Sequence, residues 1–248
     1  MGQFSDLKSV ALPVRTSVPV DSATSSCIVL PAHQHRFPAS LNAGDAAFVV
    51  VLAYLARSSG TCVFDIGLRC GGAHVFPGVA DTLLADTRPF RVVLELDQPF
   101  DWFRRDCLAR LAEWRSRKSY LRDAVARYPG VVRPRGWNDF SSWPISVELN
   151  SIGETCPAAS LESPSALTFG ISAASGQVTL AHAGLEVRLL DQLISQLTTL
   201  AENCITRPNT PLQNLALLPF SAHAALQRAI RGVSVNREVN TKSRQGLR

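Results

Sequence analysis

Between Ala46 and Ala56 the chain runs through eleven residues that are apolar except for the Tyr54 hydroxyl (Ala-Ala-Phe-Val-Val-Val-Leu-Ala-Tyr-Leu-Ala). The run is short of the roughly 18 apolar residues that a membrane-spanning helix needs. It therefore belongs inside a protein core. A helix is expected from Ala43 or Asp45 to Arg57, burying Phe48, Val49, Leu52, Leu55 and Ala56, and Ser58-Ser59-Gly60 ends it. The chain has 248 residues, 46% hydrophobic and 18% charged. That is enough to bury a substantial core in one domain of ordinary size or two small ones.

The pattern around this helix sets the fold class. Thr61 to Leu68 reads as a strand with Gly71-Gly72 as a breaker, and Arg91 to Leu96 reads as the next. From Phe100, apolar residues recur at helical spacing through Phe103, Cys107, Leu111, Trp114, Leu121 and Val125, with Arg and Asp outward, until Tyr128-Pro129-Gly130. Residues 130–143 read as a loop and Ile145 to Leu149 as a strand. Leu167 to Ser172 and Gln177 to His182, separated by Ala-Ala-Ser-Gly, read as a hairpin. A last strong helix is expected from Val187 to Ile205, burying Leu189, Leu193, Leu197, Leu200 and Cys204, with Arg207-Pro208-Asn209 closing it. Pro211 to Arg231 reads as a short strand or turn and then a short helix. This order predicts an α/β protein, a two-layer sandwich whose mixed or largely antiparallel sheet is covered by helices. Residues 1–40, with the extended stretch Cys27 to Leu30, are expected to be an N-terminal arm or edge strand, 41–231 the main lobe, and 232–248 a basic linker or tail.

Charge excludes one class of partner. The formal net charge is +5, yet Arg231, Arg237, Lys242, Arg244 and Arg248 against Glu238 place +4 of it in the tail. Nucleic-acid binding calls for a basic face clustered on the folded domain, and the other basic stretch, Arg104 to Arg127, is interrupted by Asp106, Glu113 and Asp123. No nucleic acid and no membrane are expected as partners. The first residues lack the basic and apolar segments of a secretion signal, so the expected location is cytoplasmic. The excess of Arg (22) over Lys (three) suggests a GC-rich bacterial source. Six cysteines without a Cys-x-x-Cys pair are expected to be reduced, packing as small hydrophobes.

These elements and the stretches between them resemble the C-terminal lobe of the condensation domains of nonribosomal peptide synthetases, which have the chloramphenicol-acetyltransferase-like fold. Asn138-Asp-Phe-Ser141-Ser-Trp-Pro144-Ile145 resembles the family's Arg-Asp-x-Ser-Arg-Asn-Pro-Leu at Asp139, Ser141 and Pro144, with Ile145 for Leu. Val79-Ala-Asp81-Thr82-Leu83 resembles its Val-Asn-Thr-Leu segment, with one residue inserted and Asp for Asn. Asn209-Thr-Pro211-Leu212 through Leu215-Ala-Leu217-Leu218 resembles its Asp-Pro-x-x-Pro-Leu-x-x-Leu-x-Leu-Leu ending. The resemblance runs from about residue 40 to 231. It departs in one respect that matters for chemistry: the family's catalytic His-His-x-x-x-Asp-Gly motif, carried by the N-terminal lobe, does not occur in these 248 residues. The second histidine of that motif is the family's candidate for positioning or deprotonating the acceptor amine, work that requires a base within hydrogen-bond reach.

Other candidates are weaker. His33-Gln34-His35 has neither the Asp nor the Gly of the motif and no third metal ligand nearby, and His74, His182 and His223 stand without a nucleophile motif. Each reads as a surface or hydrogen-bonded residue. Gly67 to Gly72 superficially resembles a phosphate loop, but lacks the Lys-Ser/Thr and a following helix. The candidate interface or structural residues are Trp137 and Trp143, because aromatic side chains in loops serve as binding anchors, together with Asp139, Ser141 and Pro144, which the resemblance implies are structural, fixing loops beside the family's tunnel. No catalytic, metal-binding or cofactor-binding residue is assigned. With the Met1 start taken as the true beginning, the resemblance implies a non-catalytic half condensation domain. It would be a platform or docking surface for adenylation domains, phosphopantetheine-bearing carrier domains or another subunit, with a homodimer as a further option. Two alternatives stay open. A histidine-bearing lobe from another chain could complete an enzyme that forms amide or ester bonds between carrier-bound acyl groups. The chain could also be a stand-alone acyltransferase with His33 or His35 as base.

Overall fold

The structure is a computed structural model that describes residues 8, 10, 23–28, 42–70, 87–116, 143–150, 167–183, 185–219 and 222. Six strands form one sheet: β1 (Ala23–Ile28), β2 (Val63–Cys70), β3 (Arg88–Val93), β4 (Ile145–Asn150), β5 (Leu167–Ser172) and β6 (Val178–Ala183), in the order β1-β6-β5-β4-β2-β3. β2, β4 and β5 run parallel, while β3, β6 and β1 are antiparallel to their neighbours. Three helices accompany the sheet: α1 (Ala43–Ser59), α2 (Phe100–Ser116) and α3 (Val187–Thr206). This is the mixed α/β architecture that the element order predicts.

The apolar run becomes the buried helix α1. Every residue from Ala46 to Ala56 is buried, so the helix has no wet side along this stretch. One flank meets α3, the opposite flank meets α2, and β5 lies beneath. The Tyr54 hydroxyl, the run's one polar group, donates to Gln196 Oε1 of α3 at 3.2 Å, and burial pushes its pKa up to about 12. Both helix ends are satisfied, as burial requires. Asn42 Oδ1 accepts from the Gly44 N–H at 2.9 Å, and Gly60 closes the other end in the left-handed conformation at φ 67°. The Arg57 guanidinium donates to the carbonyls of Leu212 and Leu215, in and just after the 3₁₀ turn Leu212–Asn214. Arg115 in the last turn of α2 pairs with Asp45 in the first turn of α1 at 2.8 Å. That places α2 antiparallel to α1, with each charge at the helix end its sign favours.

Two strands are displaced by more than two residues from the sequence expectation. β3 covers Arg88–Val93 rather than Arg91 to Leu96. The chain turns after Leu94, where the Gln98 N–H donates to the Glu95 carbonyl. Upstream, Pro89 is admitted because β3 is an outer strand, where a missing N–H costs no ladder bond. The extended stretch expected at Cys27 to Leu30 is displaced toward the N-terminus, to β1, which pairs with β6 from Ala23↔Ala183 to Ile28↔Val178. β1 is thus an edge strand of the same sheet as residues 63–183. Leu121, Val125 and Tyr128-Pro129-Gly130 lie outside the described residues.

Lys8 adds a further long-range tie. Its N–H donates to Asp65 Oδ2 at 2.7 Å and its carbonyl accepts from the Asp65 N–H at 2.6 Å, while Val10 is buried in the core. The Leu94 N–H donates to the Cys62 carbonyl, so the Asp65 N–H, an odd number of residues on, points away from β3. Lys8 therefore occupies the flank of β2 that β4 reaches only from Gly67 onward.

The N-terminus of α1 is clamped to the β5–β6 turn. A Cβ on Gly44 would lie 2.6 Å from Ala173 Cα, and one on Gly176 (φ 68°) would lie 2.7 Å from the Ala43 carbonyl oxygen. Alanine in place of a helical glycine ordinarily gains up to about 1 kcal/mol. Backbone cannot yield as a side-chain tip can, and overpacking costs about 1–3 kcal/mol. Gly44→Ala is therefore expected to lower the unfolding free energy, read as a reduced urea midpoint, despite the better helix former.

Candidate functional site

The sheet has two unlike faces. Phe64, Ile66 and Leu68 of β2, Ile145, Val147 and Leu149 of β4, Leu167, Phe169 and Ile171 of β5, and Val178 and Leu180 of β6 join the helices in one apolar core. The alternate residues form the other face, because side chains change sides at every step of a strand. In one cross-strand row stand Gly67, Ser146, Thr168 and Ala181; in the next stand Arg69, Glu148, Gly170 and Thr179. This second face is polar, yet Asp65, Ser146, Glu148, Asn150, Thr168 and Thr179 are all buried.

Burial of polar groups is costly unless they are paired, and most of these are. The Ser146 and Thr168 hydroxyls share a hydrogen bond of 2.8 Å, and Thr179 Oγ1 donates to the Gly170 carbonyl at 3.2 Å. Arg91 grips Asp65 with two nitrogens, each at 3.0 Å. The Asp65 carboxylate thus joins β3, β2 and the Lys8 segment. Glu148 is held less well: its nearest cation is Arg69 Nη1 at 3.8 Å. Burial pushes its pKa up from the usual carboxylate range, with Arg69 opposing in part.

Of the candidate interface residues, Trp137, Asp139 and Ser141 lie outside the described residues. Trp143 is 1% exposed, at the entrance to β4, and its ring lies where a Cβ on Gly67 would be, 2.5 Å from Trp143 Cγ. Pro144 beside it is exposed. Gly67, inside the strand expected over Thr61 to Leu68, is thus a mid-strand glycine that admits an indole. Sequence reasoning missed Asp65, Arg69, Arg91, Ser146, Glu148 and Thr168. For Asp65, Arg69, Ser146 and Glu148 the signal was present as polar residues at alternate positions of otherwise apolar strands, in Phe-Asp-Ile-Gly-Leu-Arg and Ser-Val-Glu-Leu-Asn.

His33, His35, His74 and His223 lie outside the described residues. His182 is buried on the core side of β6, opposite Leu167 and Thr24, and not on the face of Ser146 and Glu148. Its Nδ1 accepts from the Leu185 N–H at 3.2 Å, closing the turn into α3, so the neutral ring carries its proton on Nε2. Burial lowers its pKa. It is a hydrogen-bonded structural histidine. Among the described residues no group of three His, Cys, Asp or Glu could hold a metal ion. The polar face can accept and donate hydrogen bonds, but its described groups make no nucleophile–base pair. Cys62, Cys70, Cys107 and Cys204 are free thiols, and burial pushes the Cys107 and Cys204 thiols far up, which leaves them inert. No described helix is long and apolar enough to cross a membrane.

No protein-family model matches the chain. No curated protein matches it in sequence. Solved structures do match. The X-domain in a complex with OxyB from teicoplanin biosynthesis is 14% identical with a TM-score of 0.64, over 86% of this chain and 52% of that one. The starter condensation domain of rhizomide synthetase, with C8-CoA bound, is 16% identical at 0.57, over 86% and 52%. The first condensation domain of the calcium-dependent antibiotic synthetase is 12% identical at 0.56, over 87% and 51%. The fold is therefore that of nonribosomal peptide synthetase condensation domains, and the chain spans about half the length of those matched.

Two consequences concern protonation. Because the folded state holds Glu148 above its unfolded pKa, ionising it opposes folding. Glu148→Gln is expected to raise the urea midpoint at pH 7, with the gain vanishing once the pH falls below the ordinary carboxylate range. His182 is the opposite case: a depressed histidine pKa supplies stability above the ordinary histidine value that is lost as pH falls through the folded one. His182→Asn, whose Oδ1 can still accept from Leu185, is expected to flatten the loss of stability between pH 7 and pH 5, measured by urea unfolding at each pH.

Proposed function

We propose that this chain is a non-catalytic, condensation-like half domain of a nonribosomal peptide synthetase. It would serve as a structural platform or docking surface for an adjacent adenylation domain or a partner subunit. The observation that carries the reading is the match itself: most of this chain superposes on only about half of each condensation domain. The His-His-x-x-x-Asp-Gly pattern is also absent from the 248 residues. Two neighbours support a role in assembly. One is a four-domain nonribosomal peptide synthetase, of which this chain covers 19%, and the other is the X-domain in complex with OxyB. Trp137, Asp139, Ser141, Trp143 and Pro144 are proposed to shape the docking side, Trp143 from beneath as a packed support and Pro144 at the surface. Residues 232–248 would lead toward the next domain.

The half-length match also favours a second reading, in which a lobe on another chain supplies the histidine and the pair joins carrier-bound acyl groups through amide or ester bonds. An acyl-transfer assay with acyl-pantetheine thioesters and an amine acceptor separates the readings. The isolated chain is expected to show no turnover, and an adenylation domain co-expressed with it is expected to stay soluble where the same domain alone does not. Turnover that appears only when a histidine-bearing lobe is added selects the second reading. Turnover by the isolated chain, abolished by His35→Ala, overturns both.

A further inference from the structure

Helix α2 leaves one side uncovered, and its residues are self-complementary. Phe100, Phe103, Cys107 and Leu111 are buried against the core. On the opposite side Trp102, Arg105, Ala109, Ala112, Glu113 and Ser116 are exposed, at spacings of three, four and seven. Trp102 is 51% exposed, an unusual placing for an indole, and the Arg105 side chain is 75% exposed. Trp and Arg are the side chains enriched at interface hot spots, and here the two stand one helical turn apart on the same exposed side.

The order of these residues fixes what fits them. When a second α2 is laid antiparallel across the first with the two-fold axis at Ala109, residue pairs fall opposite one another in a regular way. Ala109 meets Ala109 of the second copy, and these small side chains let the helices approach closely. Arg105 meets Glu113 of the second copy, twice over by symmetry. Trp102 lands on the shelf formed by Ala112 and Ser116 of the second copy. Neither charge has to be free, since a guanidinium with five donors and a carboxylate with two oxygens each serve several partners; Arg105 keeps Asp101 at 2.6 Å within its own helix. An aromatic at one end, a flat shelf at the other and opposite charges between them are what a two-fold contact requires.

We propose that the exposed side of α2 is a homodimer interface, in which two copies of this chain pack α2 against α2, antiparallel, about Ala109. The stripe from Trp102 to Ser116 is fifteen residues long and spans about 21 Å at 1.5 Å per step. Such a contact buries less than the roughly 1,200–2,000 Å² of stable interfaces, so the dimer is reversible and depends on concentration. This goes beyond the platform role and does not rest on it.

Sedimentation equilibrium of the full chain across a range of concentrations tests it, with circular dichroism to verify folding of each variant. The weight-average mass is expected to rise from 26.9 kDa toward twice that value. Trp102→Ala is expected to weaken association by roughly thirtyfold, the loss typical of an interface hot spot. Arg105→Glu alone or Glu113→Arg alone sets like charges across the axis and yields monomers, whereas the two together restore the dimer. A mass that stays at the monomer value at every concentration overturns the proposal. So does a dimer indifferent to Trp102→Ala, or a folded double variant that remains monomeric.

Discussion

A helix without a wet side is the constraint around which the other elements are arranged. From Ala46 to Ala56 no residue of α1 can face solvent without a cost on the scale of ~1.5–3 kcal/mol for each large side chain exposed. Sheet, α2 and α3 therefore have to surround it together, and the ends of the helix have to find polar partners inside the protein. Asn42 at one end and Arg57 at the other supply them. The Arg57 bonds carry the constraint further along the chain, because they hold the segment after α3 against the end of α1. That segment in turn receives the start of α2, where the Phe100 and Asp101 N–H groups donate to the Thr210 and Pro208 carbonyls. One buried helix thus orders four parts of the chain.

The sheet divides labour between its faces. Against the helices it presents branched and aromatic side chains with no demand for hydrogen bonds beyond His182. On the other face it buries hydroxyls, an Asp–Arg pair and a carboxyl whose one close cation among the described residues is 3.8 Å away. Glu148 is the group least compensated there, and a protein selected for stability alone would gain by replacing it. Within the described residues this face satisfies most of its polar groups internally. It does not by itself provide a base, because the described imidazole lies on the wrong side.

Much of this was legible from the residues and some was not. α1, β4, β5 and α3 were recoverable because long apolar periodicity and clear terminators, Gly60 and Arg207-Pro208, leave few alternatives. β3 was misplaced by three residues: Pro89 and Arg88 argue against a strand, and only pairing with Gly67 and Leu68 makes them one. Local pattern cannot report such a partner. The strand around Gly67 is legible, but the reason for glycine there, the Trp143 ring, comes from 76 positions away in sequence. The polar face was overlooked since a charged residue in a strand ordinarily signals the solvent side, whereas Asp65 and Glu148 are enclosed. The resemblance to condensation domains rested on short motifs, and the fold agrees with it although sequence identity to the matched structures is only 12–16%.

The pairing of β1 with β6 has a consequence for how the chain comes into being on the ribosome. Ile28 must wait for Val178, its partner at the near end of the ladder, and at roughly 5–20 residues per second that delay lasts on the order of ten seconds or more. Throughout that interval the nascent chain can assemble α1, β2, β3 and α2, but β1 has no strand to join. The β1 edge of the sheet can therefore close only once β6 has emerged, long after β2 and β3 are free to pair.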